Sequence, residues 1–153
     1  MTEKQVSRYL DDFVVGETID CGSYTFNEEE IIRFASEFDP QPFHIDPVAA
    51  ARSPYGGIIA SGWHTVAIMM RLMVDGYISE SSSMGSPGVD QVRWLKPVRP
   101  GDTITVRILV NEVIPSRSKP DRGIVKFLTE VSNQIGDVVM TVQGMGMYLR
   151  RVE

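Results

Sequence analysis

The stretch Ser61–Asp75 is the strongest constraint on what this chain can fold into. It reads as a helix, entered through Ser61-Gly62 and stopped at Gly76. Trp63, Val66, Ala67, Ile68, Met69, Met70, Leu72, Met73 and Val74 spread apolar surface around most of its circumference. His64, Arg71 and Asp75 leave only a narrow polar stripe. A helix of this kind must be covered on most sides.

The cover comes from strands. Thr18–Tyr24 is a first candidate, and after a Ser- and Gly-rich segment, Ser79–Gly88, that reads as a flexible loop, the period changes to two. Val89–Lys96, Thr103–Asn111, a run through Val125, Phe127, Thr129 and Val131, and Val138–Arg150 all read as strands, the last two joined by a turn at Gln134–Asp137. Short connections imply antiparallel pairing. The expected class is α+β: one domain over residues 1–153, with a curved antiparallel sheet wrapped around the helix at 61–75. Asn27–Phe38 reads as another helix, with Asn27 as N-cap and Glu30 completing a capping box. Asp39–Pro47 holds three prolines and predicts a stiff, non-helical link, followed by a short helix through Ala49–Arg52.

Composition removes several function classes. A net charge of -5 argues against broad nucleic-acid binding, which needs a basic face. One cysteine, Cys21, permits no intrachain disulfide and suits a reducing, cytoplasmic setting; without a cation or histidine beside it, it reads as a packed residue. Met1–Phe13 has no apolar run and is not expected to be a signal peptide. No segment approaches the ~18 apolar residues of a membrane span.

Asp39 and His44 are an acid and a histidine close together in a braced loop. Imidazole is suited to proton transfer near neutral pH, and a neighbouring carboxylate orients a water or holds a tautomer. The bland alternative is a helix-ending Asp and a half-buried His bonded to backbone. Gly62 opens the apolar helix, where amide N–H groups lack partners and the dipole is positive, so it is a candidate oxyanion hole; close packing is the other reason for glycine there. His64 is either a packed histidine or a group lining the site. No spacing among Asp39, His44, Asp46 and His64 matches a metal motif, and no metal is expected. Arg93, Lys96, Arg99, Arg117, Lys119 and Arg122 are candidates for meeting an anionic substrate group, with a solvated loop as the plainer reading of Ser116–Gly123.

The run Phe34-Ala35, then Asp39-Pro40-Gln41-Pro42-Phe43-His44-Ile45-Asp46-Pro47, then Tyr55-Gly56-Gly57 through Ser61-Gly62 resembles the signature of MaoC-like dehydratases and (R)-specific enoyl-CoA hydratases. The resemblance extends loosely through Gly101-Asp102 and the final strands. It implies a hot-dog fold and reversible addition of water to a 2-enoyl thioester. Asp39 and His44 would be the catalytic pair, and the Gly62 amide would hold the thioester oxygen. Ser61, Trp63, His64, Arg93, Arg117 and Lys119 are expected substrate contacts. It implies no separate cofactor, since coenzyme A or a carrier arrives as part of the substrate. It also implies a homodimer, as does the edge strand and helix flank that a single wrapped sheet leaves exposed; charge and hydropathy give no expectation of nucleic acid or membrane as partner. Gln41 stands where the family often has asparagine, Ser61 where it often has histidine, and Met70 where some members have serine. The rival readings are a hot-dog thioesterase and a non-catalytic acyl-binding or assembly subunit. The absence of Asp and Glu from Pro47 through Val74 counts against the thioesterase.

Overall fold

The alternating segments pair as one antiparallel sheet in a computed structural model that describes residues 7–152. The first six residues of the N-terminal stretch discussed above, and residue 153, lie outside the described residues. The strands are β1 (Thr18–Thr25), β2 (Val89–Trp94), β3 (Thr103–Pro115), β4 (Arg122–Ser132) and β5 (Val138–Leu149). They lie in the order β1-β3-β4-β5-β2. Ile104, Val106, Ile108 and Val110 of β3 are all buried on one face, as the alternation requires. Val125, Phe127, Thr129 and Val131 do the same on β4. The similar Gly16-Glu17-Thr18-Ile19 and Gly101-Asp102-Thr103-Ile104 runs lead into β1 and β3, which pair with each other. Both glycines take φ near +90°, a conformation strained for any side chain.

The α-helices among the described residues are, in chain order, α1 (Glu28–Phe38), α2 (Pro42–Ile45), α3 (Pro47–Arg52) and α4 (Gly62–Gly76). Helix α4 lies across β1 and β3 in the hot-dog arrangement. Thr65, Met69, Leu72 and Met73 are buried, whereas Trp63 and Met70 on the opposite flank stay 58% and 43% exposed. The sheet therefore packs against one side of α4, and the flank that carries Trp63 and Met70 faces away from it. Gly76 is the last residue of α4 and not a cap beyond it; a Cβ there would lie 3.1 Å from Cys21 of β1. Burial pushes the Cys21 thiol up to about 11, in keeping with a packed residue.

Three local expectations are corrected. Asn27 caps α1, but the Glu30 carboxylate does not return to the cap; it accepts from Tyr24 Oη and meets His64 instead. The proline-rich link contains the helical turn α2, because Pro42 occupies its first position, where a missing N–H and a fixed φ cost nothing. The segment after α4 is tied down: Ser79 and Ser82 are buried, and Met84 N–H and Leu149 N–H bond to Met147 and Ser82 carbonyls along β5.

Candidate active site

Asp39 ends α1 because it precedes Pro40, leaving the helical region at φ −155°, ψ 66° while its N–H still bonds to the Ala35 carbonyl. The α2 turn then brings the ring of His44 back toward it. His44 Nε2 lies 3.3 Å from Asp39 Oδ2, with both side chains largely buried. His44 Nδ1 sits 2.6 Å from the Ile59 carbonyl oxygen. A carbonyl only accepts, so Nδ1 carries a proton and donates it there, and Nε2 is the nitrogen facing Asp39. Ile59 is itself fixed, its N–H bonding the Phe43 carbonyl at 3.2 Å while the next amide, Ala60, bonds the Val98 carbonyl at 2.8 Å.

Asp39 is held from two further sides. Ser61 Oγ donates to Oδ2 at 2.7 Å, and Gln41 Nε2 donates to Oδ1 at 2.7 Å. Partial burial raises the carboxyl pKa, but the bonds from Ser61 and Gln41 and the neighbouring His44 lower it, and the net direction is down. Ser61 is fully buried and also caps α4, its Oγ accepting from Trp63 N–H at 3.3 Å. One hydroxyl therefore ties the carboxylate to the start of the central helix.

Asp39 and His44 open on a cavity of about 430 Å³ that Gly62, Trp63, Trp94 and Lys96 also line. Gly62 is the first residue of α4, so its N–H has no acceptor within the helix. The position tolerates little else: a Cβ on Gly62 would lie 2.4 Å from both Nε1 and Cε2 of Trp94. Close packing and an available amide are thus properties of the same glycine.

The family model described as "MaoC like domain" matches residues 12–132. This chain belongs to the MaoC-like family. A MaoC-like dehydratase from Rhodospirillum rubrum has a crystal structure that superposes with a TM-score of 0.89 at 40% identity, covering 96% of this chain and all of that one. An uncharacterized Bacillus subtilis protein, YdeM, is 33% identical over 82% of this chain and 87% of its own length. The Mycobacterium tuberculosis 3-hydroxyacyl-thioester dehydratase Z is 34% identical over 52% of this chain and 54% of its own.

The other expected site residues of this MaoC-like protein divide sharply. Trp63 lines the cavity, and Ser61 stands behind Asp39. His64 does not reach the cavity of Asp39. It faces the other way, with Nε2 3.2 Å from Glu30 Oε1 and its ring stacked on Phe34, beside a second hollow that Arg33 and Ala67 also line. Burial, opposed by Glu30, keeps its pKa below the usual histidine range. Lys96 reaches the rim, paired with Asp137 at 2.7 Å, and Arg99 donates to the carbonyl of Tyr55, another lining residue, at 2.7 Å. Arg93 projects from the face of β2 opposite its neighbour Trp94. Arg117, Lys119 and Arg122 lie at the far end of the β3–β4 hairpin, where Gly123 pairs with Tyr148. Tyr148 and the cavity residue Val139 are separated along β5 by roughly 30 Å at ~3.3 Å per residue, so these three cations do not meet that cavity. Trp94 and the Ile59 carbonyl are site elements that the sequence reading missed. The same-face spacing of Val92 and Trp94 on β2 was the available signal for Trp94; nothing in the sequence marks the carbonyl.

Proposed function

We propose that this protein adds water reversibly to a 2-enoyl thioester, giving a 3-hydroxyacyl thioester. The observation that carries the reading is the Asp39–His44 pair, 3.3 Å apart, opening on the cavity that Gly62, the first residue of α4, also lines. With Nδ1 protonated, neutral His44 presents the lone pair of Nε2, and Asp39 presents a carboxylate. A water between them has an acceptor for each of its protons. Asp39, held ionised by its donors, is a poor proton carrier at neutral pH, so it orients the water and His44 Nε2 takes the proton. The water oxygen bonds to C3 as the C2–C3 π pair moves toward the thioester carbonyl. The Gly62 N–H, with the positive end of the α4 dipole, stabilises the resulting enolate oxygen. His44 then returns the proton to C2 on the same face, so that one water has been added and the histidine restored. Dehydration is the reverse.

Lys96 and Arg99 at the mouth suit the phosphates of coenzyme A or the phosphopantetheine of a carrier protein. The reading includes a homodimer and a reducing, cytoplasmic setting. The test is a panel of 2-enoyl-CoA thioesters of different chain length, followed by loss of the conjugated absorbance. Hydration of at least one is expected. Release of free thiol without hydration would instead identify a thioesterase, and neither activity would leave an acyl-binding role.

A further inference from the structure

Trp94 sits at the end of β2, where the ladder to β5 gives way and the N–H groups of both Leu95 and Lys96 turn to the single carbonyl of Val139. Its side chain comes across to α4. The position that a Cβ of Gly62 would occupy is 2.4 Å from Nε1, 2.4 Å from Cε2 and 2.9 Å from Cδ1. A point beside the ring edge would be much farther from one of these atoms than from the others. Near-equal distances place the point over the face of the five-membered ring, so the indole lies flat on the Gly62 Cα. The indole of Trp63 meets it edge-on, with centroids 5.2 Å apart and planes at 75°. Both indoles border the cavity that holds Asp39 and His44, yet Trp94 is 44% exposed and contributes little to the core. A large aromatic laid over a glycine at the rim of a cavity needs a reason other than stability.

We propose that Trp94 is a positioning residue for the Gly62 amide. Its ring face fixes the first turn of α4 from outside while Ser61 fixes it from inside, and it shields the Gly62 N–H from bulk water on that side. An amide so placed is worth more to a developing oxyanion, because a fixed donor in a dry site needs no reorganisation when charge appears. The same contact explains why residue 62 must be glycine: alanine would keep the N–H but drive its methyl into the indole. This inference rests on the hydratase reading for its rate consequences, whereas its binding consequences stand apart from turnover.

Two probes separate these. Butyryl-CoA carries the thioester oxygen but has no double bond to hydrate; S-butyl-CoA, the thioether, lacks that oxygen. Calorimetric titration of the wild type should show a preference for butyryl-CoA of roughly 3–10-fold, the size of one net hydrogen bond. Trp94→Ala should abolish this preference while leaving the thioether affinity within about twofold, and should lower kcat for a good enoyl-CoA by about 10²-fold while raising KM by no more than the roughly 3–10-fold that the lost preference represents. Trp94→Phe, which keeps a flat ring and drops the indole N–H, should retain both. Gly62→Ala should lose the preference in the wild-type background and lose nothing further in the Trp94→Ala background. Should Trp94→Ala fail to fold, Trp94→Leu supplies bulk without a flat face and should behave as predicted for alanine. Retention of the preference in the alanine or leucine variant overturns the proposal, as does equal damage from phenylalanine, or a wild type that binds the two probes alike. A wild type that discriminates the probes but hydrates no enoyl-CoA overturns the hydratase reading and leaves the role of Trp94 standing.

Discussion

Around Asp39 the chemistry is decided by which atoms donate. Ser61 and Gln41 supply two hydrogen bonds to the carboxylate, and the Ile59 carbonyl settles which nitrogen of His44 faces it. If the pair acts as one unit on one water, Asp39→Asn and His44→Ala should each lower kcat by about two orders of magnitude or more, since general acid–base catalysis is typically worth ~10²–10⁴-fold. The double variant should be little worse than either single one. Near-wild-type hydration by both single variants would remove the pair from the mechanism. Ser61 gives a finer test. Its hydrogen bond lowers the Asp39 pKa, and a carboxyl depressed in the folded protein is ionised down to a lower pH than in the unfolded chain. Activity that needs ionised Asp39 is therefore lost as pH falls through the folded pKa. Ser61→Ala removes a lowering contact, so the acid limb of the kcat/KM profile should move to higher pH. The stability that the depressed pKa contributes is present above the unfolded carboxyl pKa and lost as pH falls through the folded one; this contribution should shrink in the same variant. Loss of the α4 cap should cost a further ~1 kcal/mol in denaturant titrations. An unmoved acid limb would show that Ser61 does not tune Asp39.

The elements show where local pattern suffices and where it does not. Helix α4 and the strands were legible because burial imposes a period, 3.6 or 2, that survives as a pattern of apolar residues. Asp39 and His44 were legible because the turn joining them is local in sequence. What escaped is tertiary. Proline-rich sequence suggested an extended link at 39–47, yet Pro42 starts a helical turn, and that turn is what aims His44. Glu30 fitted a capping box but is taken by Tyr24 and His64, partners distant in sequence or on another element. The cations of the Ser116–Gly123 loop belong to the wrong end of the hairpin, a matter of strand length and register that charge alone does not encode. Gly123 is similar: it looks like an ordinary strand residue, but a Cβ there would lie 2.5 Å from the Ile114 carbonyl oxygen of β3 and 2.6 Å from Leu10. Backbone on the neighbouring strand cannot step aside as a flexible side chain would. Gly123→Ala should therefore destabilise the fold by about 1–3 kcal/mol, read as a melting temperature lowered by roughly 2–4 °C per kcal/mol. A melting curve matching the wild type would mean that the hairpin end relaxes freely.

At the scale of the whole molecule, the sheet ends in two edges, β1 and β2, and the second of these adjoins exposed apolar side chains. Strand β2 is an edge of the sheet, and Val89 and Leu95, at and just beyond its ends, are 57% and 51% exposed. The outer flank of α4 adds Trp63 and Met70. An unpaired edge with apolar neighbours is a liability in a free monomer, and self-pairing across a two-fold axis covers it with the same surface on both partners. We propose that two copies join through β2 and the open flank of α4. Such an interface should bury more than about 1,000 Å² in total to be stable. Sedimentation at micromolar concentration should give a mass near 34 kDa, twice the 17.1 kDa of one chain. Because folding and association are then linked, the melting temperature should rise with protein concentration. Val89→Lys combined with Met70→Lys places charge at two exposed positions that contribute little to the protomer's core. That variant should sediment as a 17.1 kDa species with its circular dichroism unchanged. A wild type that sediments only as a monomer at these concentrations, with a melting temperature independent of concentration, would show that the edge of β2 is left open to solvent.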